Sequence, residues 1–288
     1  MMKLKLFKTL WGFSGPYGNA IQEAIAAGMD GIEGPAPLNA QEGKALFAQL
    51  QDAQLDYIAE ITTAGSYVPD RNASLQQHLD SLAEKLEASV RLAPRFVTCL
   101  GGCDAWPESK NLEFFVRAMD IAAEYDVSIS FETHRGRAFF NPWVTQRLVE
   151  QLPQIKLTCD FSHWCVVCER LIDTELELIE SLAPHAHHIH ARVGYDQGPQ
   201  VPHPAAPEYE PALHAHQRWW QLIWDAQRVA GYEVTTMTPE FGPDGYLHEQ
   251  PFTRQPVADL WEINQWMAKE ERRHFGDYRR NFSSSDQR

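Results

Sequence analysis

Several features are scarce or missing in this chain of 288 residues. Five cysteines (Cys99, Cys103, Cys159, Cys165 and Cys168) are an odd number and too few to cross-link it, which excludes a disulfide framework as its source of stability. Cys165 and Cys168 form a lone CxxC with no second pair, so ordinary thiols are expected rather than a zinc or redox site. No apolar run reaches the ~18 residues of a membrane span, and Met1 to Leu10 carries three lysines but no signal-peptide core. A cytoplasmic protein with no membrane partner is therefore expected. Lys and Arg (25) are outnumbered by Asp and Glu (39), giving a formal charge of −14, and no dense basic run offsets it, so nucleic acid is excluded as a partner. No GxGxxG follows the first apolar run, which removes a dinucleotide-binding sheet from consideration.

What remains is a composition of 44% hydrophobic and 22% charged residues, sufficient for a large core. Short apolar runs alternate with segments of helical period, and that alternation demands a parallel sheet with helical crossovers. Candidate strands lie near Lys5 to Trp11, Gly31 to Glu33, Asp56 to Ile61, Phe96 to Leu100, Val127 to Glu132, Lys156 to Asp160, Ala186 to His190 and Glu233 to Glu240. Between them, Leu75, Leu79, Leu82, Leu86 and Val90 make one apolar helical stripe. Asn39 with Glu42, and Asn141 with Pro142, read as helix starts. Eight strand–helix units leave a closed barrel or an open doubly wound sheet, and the count favours closure.

The expected fold is thus a single (β/α)8 TIM barrel over residues 1–275, with a polar tail over 276–288 that is either disordered or an arm between subunits of a homodimer or homotetramer. Between Ala191 and Pro211 five prolines (Pro199, Pro202, Pro204, Pro207 and Pro211) break any helical period, and a lid over the site is expected there.

Active sites of such barrels are built at the carboxyl ends of the strands. Strand alternation sends Val127, Ile129 and Phe131 to the helix layer and Ser128, Ser130 and Glu132 into the lumen. It likewise turns Thr158 and Asp160 inward, places His188 with His190 on one face, and puts Thr236, Thr238 and Glu240 on another. A single strand-end carboxylate is more often a cap or a surface ion-pair partner, but four such residues in register on strands five to eight are a poor coincidence. Three inward carboxylates repel one another in a low-dielectric lumen, and a divalent metal is the economical compensation. Glu132, Asp160, His190 and Glu240 form a mostly oxygen set that suits Mn²⁺, with Mg²⁺, Co²⁺ or Zn²⁺ as alternatives. His187 and His188 read as core histidines, with His188 a candidate support for the ligands.

The segments Phe131-Glu132-Thr-His, Cys159-Asp160-Phe-Ser-His163, His188-Ile-His190 and Pro239-Glu240-Phe-Gly resemble, in that order, the xylose isomerase-like TIM barrel superfamily of sugar isomerases and epimerases. The resemblance covers nearly the whole chain. It implies that Glu132, Asp160, His190 and Glu240 bind the metal, that His163 contacts substrate oxygen, and that Glu132 and Glu240 are the catalytic acid and base. An arginine beyond the seventh-strand histidine often holds the substrate in the epimerases; Arg192 stands closer to His190 than in those enzymes. The DNA-repair endonucleases of this fold use further histidines on strands three and four, and none stands there in this chain.

The expected activity is a metal-dependent isomerase or epimerase of a sugar or sugar phosphate, working by proton transfer through an enediolate stabilised by the metal. A dehydratase of the inosose dehydratase type would use the same metal and the same proton abstraction, and a catalytically silent sugar-binding barrel is the reading from another class. Lys156 opens strand six, the wrong end for a Schiff-base aldolase. Trp11, Phe13, Trp106 and Trp164 are candidates to cover a sugar face, and Glu33 either lines the pocket or caps a helix. Trp219, Trp220 and Trp224 sit at helical spacing and read as packing, inside the chain or at a subunit interface.

Overall fold

A computed structural model describes residues 2–243 and 245–285, the side chains through residue 281. The strands are β1 (Lys3–Thr9), β2 (Gly31–Gly34), β3 (Asp56–Thr62), β4 (Val97–Leu100), β5 (Ile129–Glu132), β6 (Leu157–Cys159), β7 (Ala186–His190) and β8 (Val234–Thr238). The helices are α1 (Tyr17–Ala26), α2 (Ala40–Ala53), α3 (Leu75–Val90), α4 (Glu108–Glu124), α5 (Pro142–Gln151), α6 (Ser162–Val167), α7 (Leu176–Leu182), α8 (Glu210–Val229) and α9 (Leu260–Ser285). The strands close in sequential order, every neighbouring pair parallel and β8 paired back to β1, so the fold is a (β/α)8 barrel.

Local chemistry explains the entry into several helices. Asn39 accepts from the Gln41 and Glu42 N–H groups at the start of α2, and Asn141 accepts from Val144 N–H with Pro142 in the first turn of α5. Ser74 and Gln77 close a reciprocal capping box on α3. Leu79, Leu82 and Leu86 of that helix are fully buried.

The strand parity expected for β5 holds. Ile129 and Phe131 enter the cluster between sheet and helices, while Ser130 turns inward. Phe7, Ile58 and Phe96 form a separate apolar floor in the lumen. Above it lies a hydroxyl layer in which Thr98 Oγ1 donates to Thr158 Oγ1 at 2.7 Å and Ser130 Oγ sits 2.7 Å from the same oxygen. Lumen polarity therefore rises from the floor toward the carboxyl ends, which prepares the upper rim for charged groups.

One reading left open between two alternatives resolves to packing inside the chain, and two expectations change. Trp219, Trp220 and Trp224 are wholly enclosed within the chain, Trp224 against Phe275 and Tyr278 of α9, so they do not face a subunit interface. The boundary expected at 275/276 falls inside α9, whose Tyr278 is buried; of the tail, residues 286–288 lie outside the described residues. The segment expected as a lid is tied down instead. Val193 and Val201 are fully buried, and Gln200 both accepts from Gly242 N–H (2.9 Å) and donates to Gly242 O (3.2 Å), bracing the loop after β8. No helix among the described residues is long and apolar enough to cross a membrane. All five cysteines are free.

Candidate metal centre and active site

Glu132 is the last residue of β5 and His190 the last of β7, while Asp160 follows β6 by one residue and Glu240 follows β8 by two. Barrel closure brings one ligand atom from each within 4.8 Å of the others, all buried. His190 Nδ1 lies 3.0 Å from Glu240 Oε2 and 3.7 Å from Glu132 Oε1. Neither contact has hydrogen-bond geometry, but both are ion-pair contacts when the imidazole is charged.

The opposite ring nitrogen is also engaged. His190 Nε2 lies 3.0 Å from Glu33 Oε1, and the other oxygen of Glu33 lies 3.1 Å from His188 Nε2 and also accepts from Thr238 Oγ1. His188 Nδ1 is in turn 2.8 Å from Thr236 Oγ1. With Nε2–H donated to Glu33, Nδ1 is the ring atom of His190 that faces the carboxylates; it holds a proton toward them when the imidazole is charged and offers a lone pair once that proton is lost to a cation. Burial alone would raise the Glu33 carboxyl, but the flanking His188 and His190 outweigh it and hold the group well below the usual range.

The ligand carboxyls behave oppositely. Burial pushes Glu132 up to about 7, opposed by His190 and assisted by Glu240 and Asp160. Burial likewise raises Asp160, opposed by Arg192 and assisted by Glu240. Burial disfavours charge on His190, yet Glu240 and Glu33 overcome it and move the imidazole well above its ordinary value. Arg192, itself buried, supplies one compensating charge: its Nη2 binds Asp160 Oδ2 and His163 Nε2, the latter at 2.6 Å, and its Nε donates to Ser162 Oγ at 3.0 Å. One guanidinium and one imidazole stand against three crowded carboxyls, and His190 Nδ1 faces into the group. The donor set of three carboxylates and one imidazole fits a divalent cation.

Beside this group lies a cavity of about 170 Å³ bordered by Trp11, Glu60, Tyr67, Glu132, Arg192 and Tyr246, with Glu240 also on its wall. That volume is below the ~300–1,000 Å³ of sites for drug-sized ligands, and it suits a small metabolite. Trp11 is held edge-on to Tyr246 at 4.9 Å and rests on Gly242, where a Cβ would come 2.2 Å from the indole. Only glycine permits that approach. The Arg192 guanidinium lies 4.9 Å from the Tyr246 ring and 5.4 Å from that of Trp11.

The expected residues divide accordingly. Glu132, Asp160, His190 and Glu240 converge, and Trp11 and Arg192 reach the cavity. His163 is fully buried behind Arg192, its Nε2 3.8 Å from Glu132 Oε1, and does not line the cavity. Glu33 does not line it either, because both its oxygens are taken by His188, His190 and Thr238. Trp164 is buried with its indole N–H on Phe139 O, Trp106 packs on His78 under Lys110, and Phe13 turns to Lys8. Sequence reasoning passed over Glu60 and His134, although β3 alternation places Glu60 inward and His134 is two residues past Glu132. Tyr67 and Tyr246 sit in loops, where no periodicity announces them.

The chain matches the family described as xylose isomerase-like TIM barrel over residues 21–200. It belongs to that family. Solved structures similar to this xylose isomerase-like barrel include L-ribulose 3-epimerase, at 14% identity and a TM-score of 0.67 over 99% of this chain and 98% of the other. Endonuclease IV from Thermus thermophilus is 15% identical with a TM-score of 0.60, covering 95% and 99%. The probable 3-DHS dehydratase AsbF from Bacillus anthracis is 12% identical with a TM-score of 0.59, covering 93% and 98%. At these identities the likeness is one of fold. No curated protein matches the sequence.

Proposed function

We propose that this xylose isomerase-like barrel is a divalent-metal-dependent isomerase or epimerase of a small keto sugar, free or phosphorylated. The observation that carries the reading is the convergence of Glu132, Asp160, His190 and Glu240, with His190 Nδ1 turned toward the carboxylates, beside a cavity of metabolite size. These four residues would hold the ion, and Mn²⁺ suits their oxygen-rich set. When bound, the ion supplies Lewis acidity that stabilises negative charge developing on substrate oxygen.

The protein's own groups do the rest. Glu132 and Glu240, on strands three apart around the ring, remove a proton from the carbon next to the carbonyl and return one. Trp11 and Tyr246 cover an apolar sugar face and exclude water, and Arg192 offsets charge on the substrate side of Asp160.

The test is to incubate metal-loaded protein with a panel of ketoses, inososes and hydroxypyruvate in deuterated water. Deuterium entering the carbon next to the carbonyl is expected. Loss of water would mark a dehydratase instead, and silence across the panel favours a sugar-binding barrel without turnover. Glu240→Gln is expected to abolish exchange while leaving the fold intact.

A further inference from the structure

One carboxyl of the cavity is left over once the four converging residues and their supports are assigned. Glu60 stands on β3 between Ile58 of the lumen floor and Thr62 of the cavity wall, so alternation points it inward. It borders the same cavity as Trp11, Glu132 and Glu240. The other lumen carboxylates are engaged: Glu33 by two histidines and Thr238, Asp160 by Arg192 and Ser162, and Glu132 and Glu240 by the flanking His190. Glu60 has no hydrogen-bond or ion-pair partner among the described residues.

A carboxyl without a partner is not tolerated in a packed core, and Glu60, only partly buried, is not in one. Glu60 instead stands between two open spaces. Besides the main cavity it borders a second, of about 210 Å³, lined by Pro35, Ala36, Leu38, Thr62, Lys85 and Ser89. Burial, with the charges of Glu240, Glu33 and Glu132 adding and His190 opposing, pushes its carboxyl up to about 8. In either protonation state a carboxyl accepts a hydrogen bond from a sugar hydroxyl.

We propose that Glu60 is a substrate-contacting residue which hydrogen-bonds a hydroxyl of the bound polyol chain from the β3 wall and thereby selects among hydroxyl configurations. This rests on the reading given under Proposed function. The neighbouring carboxylates serve the metal and the proton, whereas Glu60 serves recognition.

The experiment uses the full chain loaded with Mn²⁺ and titrated calorimetrically with xylitol and D-glucitol, polyols that lack a carbonyl and cannot turn over. Glu60→Leu is expected to lose tenfold or more in polyol affinity, and Glu60→Gln, which keeps size and hydrogen bonding, to stay within about threefold. Both should retain the wild-type Mn²⁺ stoichiometry. Should the leucine variant fail to fold, Glu60→Asp withdraws the carboxyl by one methylene and is expected to lose about fivefold. Wild-type polyol affinity in the leucine or aspartate variant overturns the assignment, and so does loss of Mn²⁺ stoichiometry in the glutamine variant, which would place Glu60 in the metal set. A wild-type protein that binds neither polyol and exchanges no ketose defeats the reading under Proposed function itself.

Discussion

Glu33 Oε1 lies 3.0 Å from His190 Nε2, across the lumen from β2 to β7, and this contact turns His190 Nδ1 toward Glu132 and Glu240. Glu33 is thus a positioning residue. Supports of this kind commonly carry ~10–100-fold in metal affinity. Glu33→Gln is expected to weaken Mn²⁺ binding by that factor with little change in far-UV circular dichroism, as isothermal titration calorimetry would show. Unaltered affinity in a folded variant would remove Glu33 from this role.

Metal content is the most direct check on the centre. Purified protein should carry about one divalent ion per chain by elemental analysis, and chelation should lower its melting temperature. Readdition of Mn²⁺ at 100 times its Kd should restore about 2.7 kcal/mol of stability. Protein with no bound metal and no thermal response to added Mn²⁺ contradicts the four-residue set.

Arg137 is fully buried and donates to the carbonyl oxygens of Thr63, Ser66, Tyr67 and Gly102, pinning the loop that brings Tyr67 to the cavity. Replacing it with methionine keeps the length of the stem and strands those carbonyls. A loss of roughly 3 kcal/mol or more in chemical denaturation is expected, with faster proteolysis over residues 63–74. A variant as stable as wild type would show that water satisfies these groups unaided.

Acid should destabilise the protein through buried histidines that are not among the four converging residues. Burial lowers His216 and His78 to about 4 and His187 to about 3, all from an ordinary 6.5. Between pH 6.5 and 4 these histidines take up protons in the unfolded chain but not in the folded one, so the stability they contribute is complete above 6.5 and is lost as pH drops. For enclosed His216 the limit is roughly 3 kcal/mol. Urea midpoints measured from pH 7.5 to 4.5 should decline through this window, and His216→Gln should flatten part of the slope. A His216→Gln profile parallel to that of the wild type would refute the neutral assignment of His216.

Much of this could be read along the chain because it follows from local period. Strand alternation placed Glu132, Asp160, His190 and Glu240 on inward faces at strand ends, and the count of strand–helix units pointed to closure. Asn39 and Asn141 marked helix starts by a preference that acts within four residues. The same logic would have reached Glu60, since it alternates with Ile58 and Thr62, but one inward glutamate on a strand without matching neighbours carries little weight in isolation.

What the sequence by itself determined is the set of groups available at the rim of the barrel. Tertiary structure decided their duties. Closure across the lumen gave Glu33 to His188 and His190 rather than to the cavity, turned Arg192 onto Asp160 and His163, and left Glu60 without a partner. It also anchored the proline-bearing loop through Gln200 and buried the tryptophans of α8 beneath α9. The physical reason is that period and capping act over a few residues of one strand or helix, whereas a hydrogen bond between Glu33 and His190 joins residues 157 apart in the chain and exists only once the barrel has closed.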